Sequence, residues 1–193
     1  MKKTLLTTFL CIVVFLSHAQ IIKPAIKANN AFADSLTEIV TDYSNNFKNI
    51  QGDLLPAEID ADTYLSKIGL PGATGCVIKR YHSVVDNSAS WQAVLFTSDS
   101  YEEAVKYYKK VFTQIKKIKV KGINSSTGVF EGTMEKLDEN VRFSVSSLRL
   151  KTPDFRYRNF AADIELVNNY DGWEVHLNLY KKKKDTEGGN IEY

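Results

Sequence analysis

The chain has 193 residues, of which 44% are hydrophobic, 25% charged and 11% aromatic. This is globular composition, and it excludes a disordered chain, which lacks the apolar and aromatic content to bury a core. With 10 Gly and 4 Pro the chain is not a collagen-like or Gly/Pro-rich polymer, and a formal charge of +2 gives no electrostatic basis for nucleic-acid binding, which depends on a basic surface that releases counterions.

The N-terminus reads as an address. Met1 is followed by Lys2 and Lys3, an apolar run from Leu5 to Leu16, and Ser17-His18-Ala19. A basic start, a short apolar core and a small-x-small site make residues 1–19 a secretory signal peptide. The run is shorter than the roughly 20 apolar residues of a membrane span. The expected mature chain begins at Gln20, is periplasmic or secreted, and has no membrane span. Cleavage removes Lys2, Lys3, Cys11 and His18, leaving 23 basic and 23 acidic residues, His82 and His176, and Cys76 as the single cysteine. An intrachain disulfide is then excluded, and a domain of this length can bury a sizeable core without one.

Phe32, Leu36, Ile39, Val40, Tyr43, Phe47 and Ile50 recur mostly at spacings of three and four, which predicts a first amphipathic helix. Asn30 or Asp34 is its candidate cap, and Gly52 follows its end. Residues 53–62, with Pro56 and four acids, read as a loop. Strands are expected over Thr63–Leu70, Cys76–Val85 and Trp91–Thr97, with a turn at Pro71–Gly75. The third is apolar on both sides, as suits the middle of a covered sheet. Ser100 and Glu103 then form a capping box ahead of a second helix over 100–118. Its stripe runs through Tyr101, Ala104, Val105, Tyr108, Val111, Phe112, Ile115 and Ile118, while Lys106, Lys109, Lys110, Lys116 and Lys117 take its solvated outer side.

Val129–Lys136 and Asn140–Lys151 are expected to pair around Leu137-Asp138-Glu139. In the second of them Val141, Phe143 and Val145 share one parity and Leu148 and Leu150 the other, which predicts a bulge near Ser146-Ser147. Arg158–Asn168 and Gly172–Lys182 form a last hairpin, and residues 185–193 a flexible tail. The connections are short, which favours antiparallel pairing. The expected fold is a single α+β domain over residues 20–184: an antiparallel sheet of about six to seven strands with two amphipathic helices on one face. No internal repeat is visible in the sequence.

Motifs for chemistry are sparse. There is no G-x-S-x-G, P-loop, G-x-G-x-x-G, C-x-x-C or H-x-x-x-H. No metal site and no cofactor are expected. Cys76 would need a histidine to act as a nucleophile. His82 lies six residues along the same expected strand, about 20 Å at roughly 3.3 Å per residue, so only His176 could serve. A small buried thiol is the simpler reading. In the last hairpin Phe160, Ala162, Ile164 and Leu166 must share a face with Trp173, Val175, Leu177 and Leu179. One register that achieves this sets Asp163 opposite His176 and Glu165 opposite Glu174. The other sets Glu165 opposite His176 and avoids the like-charge pair. Either way His176 faces a carboxylate on the polar side. Of the tyrosines, Tyr43, Tyr101 and Tyr108 are expected in the core, and Tyr64, Tyr81, Tyr157, Tyr170 and Tyr180 near the surface.

The Lys-Lys start, the Ser-His-Ala-Gln cleavage region and the helix–strand order resemble small exported proteins of Gram-negative bacteria. The resemblance implies export and no particular activity, ligand or catalytic residue. The expected function is an exported, soluble binding or accessory module for an unknown ligand or protein, acting through an open sheet face that carries Arg142, Asp163, Glu165, His176 and Tyr180. Two alternatives remain: a small hydrolase-like enzyme using His176 with Asp163 or Glu165, and a homo-oligomeric interaction subunit whose open face is covered by a second copy.

Overall fold

The computed structural model describes residues 28–56, 58–82, 88–123 and 126–182; the expected signal peptide and the expected tail lie outside them. Helix α1, Ala28–Asp42, runs into a 3-10 turn at Tyr43–Asn45. A first antiparallel meander follows, made of β1 (Gln51–Leu54), β2 (Ala61–Ser66), β3 (Gly75–Tyr81) and β4 (Ala89–Ser98). Helix α2, Tyr101–Lys117, then leads into a second meander of β5 (Lys119–Ile123), β6 (Ser126–Glu131), β7 (Phe143–Lys151), β8 (Phe160–Asn169) and β9 (Gly172–Lys181). The two meanders join along their last strands, giving the order β1-β2-β3-β4-β9-β8-β7-β6-β5. The topology therefore repeats a helix-then-meander unit that no sequence period announces.

The expected α+β fold of six to seven strands with two amphipathic helices on one face is overturned. The described chain is mostly β, one antiparallel sheet of nine strands with two short helices. The miscount has local causes. Strand β1 is only four residues long and sits in the stretch read as the end of a helix and a loop. Strand β5 lies wholly ahead of the strand expected from Val129, and β6, Ser126–Glu131, overlaps that strand only at its end.

The first helix is also shorter than its apolar spacing predicts. Asp42, buried at 6% exposure, folds its carboxylate over the helix end. It accepts the Asn45 and Asn49 side-chain amides at 3.0 and 2.7 Å and the backbone N–H groups of Asn49 and Ile50 at 3.1 and 3.3 Å. Such local side-chain bonds compete with helix propagation. The chain turns through left-handed Asn46 (φ 55°) and Phe47 (φ 57°), so Phe47 and Ile50 reach the core from a turn and not from a helix stripe. Asn30 and Asp34, the expected caps, both lie inside the helix.

Helix α2 follows expectation closely. Ser100 accepts the Glu103 N–H at 3.3 Å, one arm of the capping box. The other arm is redirected, because the Glu103 carboxylate accepts the Ser98 hydroxyl at 2.7 Å.

Alternation along the strands defines the two faces. Trp91, Ala93, Leu177, Leu179, Ala162, Ile164 and Leu148 join Leu36, Ile39, Tyr108, Val111 and Ile115 of the helices in one core cluster. The opposite face carries Gln92 and Val94 of β4, His176, Asn178 and Tyr180 of β9, Asp163 and Glu165 of β8, and Val145 and Ser147 of β7.

The bulge expected near Ser146-Ser147 is absent: β7 pairs with β8 in continuous register from Phe143 to Arg149. The phase never changes, because Ser144 and Ser146 share the core side with Leu148 and Leu150 while Phe143 and Val145 point away. Buried Ser146 is satisfied there. It accepts the Tyr108 hydroxyl at 2.6 Å and the Glu135 N–H at 2.9 Å. A register shift does occur in β4, between Val94 and Phe96. It brings Phe96 onto Tyr107 of α2, rings stacked at 4.5 Å.

The hairpin expected from Val129 to Lys151 is likewise shorter, since residues 132–142 form a loop beside β7. Gly132 packs so closely on the Ser147 carbonyl that a Cβ there would collide with it. The Glu135 carboxylate accepts the Val145 N–H at 2.7 Å, capping part of the edge that β6 leaves unpaired. Tyr157, expected near the surface, is buried at 1% exposure and donates its hydroxyl to the Thr41 carbonyl at 2.9 Å.

Candidate functional site

A polar cluster is built on the face of β7, β8 and β9 that points away from the core. Strand alternation places Asp163 and Glu165 two residues apart on β8, and Glu174, His176, Asn178 and Tyr180 two apart on β9. The pairing of Phe160 with Lys181 sets the rest of the register, so Glu165 stands opposite His176 and Asp163 opposite Asn178. Of the two registers open to the sequence, this one keeps Glu165 away from Glu174.

The side chains tile into a continuous network. Asp163, 9% exposed, accepts the Ser147 hydroxyl at 2.6 Å on one oxygen and the Tyr180 hydroxyl at 2.7 Å on the other. Glu165 accepts the Asn178 amide at 2.6 Å. His176 lies 2.7 Å from Glu174 through Nε2 and 3.9 Å from Glu165 through Nδ1. Sequence reasoning missed Glu174, although a residue two positions before His176 on one strand shares its face by period alone.

Electrostatics follow from crowding. Burial pushes the Glu165 carboxyl above its ordinary value, against the opposing pull of the Asn178 hydrogen bond and the His176 ring. Burial also pushes the Tyr180 hydroxyl well above the usual phenol range, reinforced by its bond to Asp163 and by the charge of Glu165, so it stays a proton-bearing donor. Arg149, beside Ala161 on the same face, is the nearby cation acting on Tyr180.

The structure brings together Asp163, Glu165, His176 and Tyr180 but leaves Arg142 out. Arg142 precedes β7 and accepts the Asn168 N–H through its carbonyl. Its guanidinium lies 6.0 Å from the centre of the fully exposed Tyr170 ring at the hairpin tip. Cys76 is separated from the network by the sheet itself. It pairs with Ala93 and packs on the core, where burial raises its thiol pKa. His82, just past β3, pairs instead with Asp62 at 3.1 Å, both half exposed.

Among the described residues no group of three or more His, Cys, Asp or Glu is placed to hold a metal ion, and no helix is long and apolar enough to cross a membrane. No family model matches the chain, and neither a curated protein nor a solved structure matches it.

Proposed function

We propose that this chain is an exported binding or accessory module, and that it meets its ligand or protein partner through the sheet face bearing Asp163, Glu165, His176, Asn178 and Tyr180. The observation that supports this reading is the tiling itself. Three carboxylates lie across neighbouring strands, and Ser147, Tyr180 and Asn178 hold two of them in place through short bonds. Such a surface offers fixed acceptors without ordering cost at the moment of contact, which is what recognition requires. Cys76 lies on the core side of the sheet, so it gives His176 no thiol to activate.

The test uses the purified chain on arrays of glycans and of basic and neutral peptides, with Glu165→Gln/Asn178→Ala as the comparison. Binding lost in the double variant, with a melting temperature within about 3 °C of the parent chain, is the expected result. Turnover of an ester, peptide or glycoside that His176→Ala or Glu165→Ala removes would overturn the proposal in favour of a hydrolase.

A further inference from the structure

A second feature lies on the helix side of the molecule, remote from the acidic face. Helix α1, helix α2 and strand β5 enclose an open groove of about 940 Å³. Lys109, Lys110 and Lys117 line it from α2, Lys119 and Lys121 from β5, and Asp34 from α1 is its one acid among the described residues. All five lysines are exposed, and none forms an ion pair among the described residues. A solvated outer face explains lysines scattered along a helix. It does not describe what these five form: α2 and β5 follow each other in the chain, and the distant helix α1 packs beside them, so the lysines wall a concavity with one counter-charge among the described residues. Like charges gathered this way repel, a standing cost that a bound anion removes.

The groove's neutral groups narrow the chemistry. Thr37 and Thr113 line it, and their hydroxyl hydrogens are already given to the carbonyls of Ala33 and Lys109 at 2.7 and 2.8 Å. What these hydroxyls present outward is therefore acceptor lone pairs, which match a ligand that brings O–H donors of its own. The Gln114 amide adds a donor and an acceptor between Lys110 and Lys117. Its apolar lining is Ala33 and Ile118, the latter buried, and none of the exposed large hydrophobic residues among the described residues lies in it, so no large apolar side chain projects from it toward a lipid surface. We infer that this groove is a binding site for an acidic oligosaccharide, a ligand that combines repeated anionic groups with hydroxyl donors.

Calorimetry on the full chain at low ionic strength tests this, with a galacturonic acid hexamer, neutral maltohexaose, tripolyphosphate and anionic phospholipid vesicles as probes. The hexamer is expected to bind, maltohexaose is not, and added salt should weaken the binding. Lys110→Glu/Lys117→Glu should weaken it by roughly tenfold or more. Lys106→Glu, an exposed change on the same helix outside the groove, should leave it unchanged, and all variants should melt alike. No hexamer binding, equal loss in Lys106→Glu, or tripolyphosphate or vesicles binding as tightly as the hexamer would each overturn the inference. So would self-association of the chain that the double variant abolishes, because the occupant would then be a second copy. Variants of the acidic sheet face leave this experiment untouched, so the two sites stand or fall separately.

Discussion

The two faces of strand β9 make the same backbone serve opposite ends. Trp173, Val175, Leu177 and Leu179 enter the core, while Glu174, His176, Asn178 and Tyr180 point the other way. Polar groups occur on both sides but are handled differently. On the core side the buried hydroxyl of Ser146 is neutral, bonded to Tyr108, and helps to dock the loop at residues 132–142. On the other side carboxylates are accommodated in two ways: water still reaches Glu165, Glu174 and His176, whose side chains are 18%, 23% and 26% exposed, and the more buried Asp163 accepts the Ser147 and Tyr180 hydroxyls. Burying a charge fully would cost far more than burying a bonded hydroxyl. The contrast separates residues that hold the fold from residues the fold displays.

Substitutions on alternate positions should expose that separation. The largest effect is expected from Leu177→Ala, where removing a fully buried side chain should cost about 2–5 kcal/mol in chemical denaturation. A loss below about 1 kcal/mol would mean that the core face is loosely packed. Ser146→Ala comes next. It orphans the buried Tyr108 hydroxyl, whose pKa is pushed up to about 12 mainly by burial, and should cost about 1–3 kcal/mol while speeding hydrogen exchange at Glu135.

Glu165→Gln should be the mildest of the three, with a sign that depends on pH. The native state holds the Glu165 proton more tightly than the unfolded chain does, so Glu165 favours the native state at low pH and loses that contribution as pH rises through its raised pKa. The glutamine variant should therefore melt higher near neutral pH, by no more than about 3 °C. The gap should close as the pH falls toward the ordinary carboxyl value of 4.5. A gap that widens on acidification would show that the carboxylate stabilises the sheet and is not merely displayed by it.

Much of the candidate site was legible beforehand because it lies on two adjacent strands. Matching the apolar parities of β8 and β9 leaves two registers that both set His176 opposite a carboxylate, and the structure adopts the one that avoids the clash of Glu165 with Glu174. Arg142 was misplaced for a related reason. The strand expected from Asn140 begins only at Phe143, because residues 132–142 leave the sheet and pack along its edge. The lysine groove was not visible at all. Lys109 and Lys121 are separated by a helix end and a strand start, and their spacing in the chain does not say that α1 closes the other side.

By itself the sequence determined the elements whose signals are local. These are the period-3.6 stripe and Ser100 cap of α2, the β8–β9 hairpin with its glycine at position 172, and the alternation that sends Glu165 and His176 to one side. Tertiary structure alone decided how many strands the sheet contains, where helix α1 stops, and which surfaces face one another. Those outcomes depend on contacts between distant segments: the edge pairing of β4 with β9, the Asp42 carboxylate gathering Asn49 and Ile50, and the convergence of α1, α2 and β5. Local propensity has no term for such contacts, because their free energy exists only once the chain has already brought the partners together.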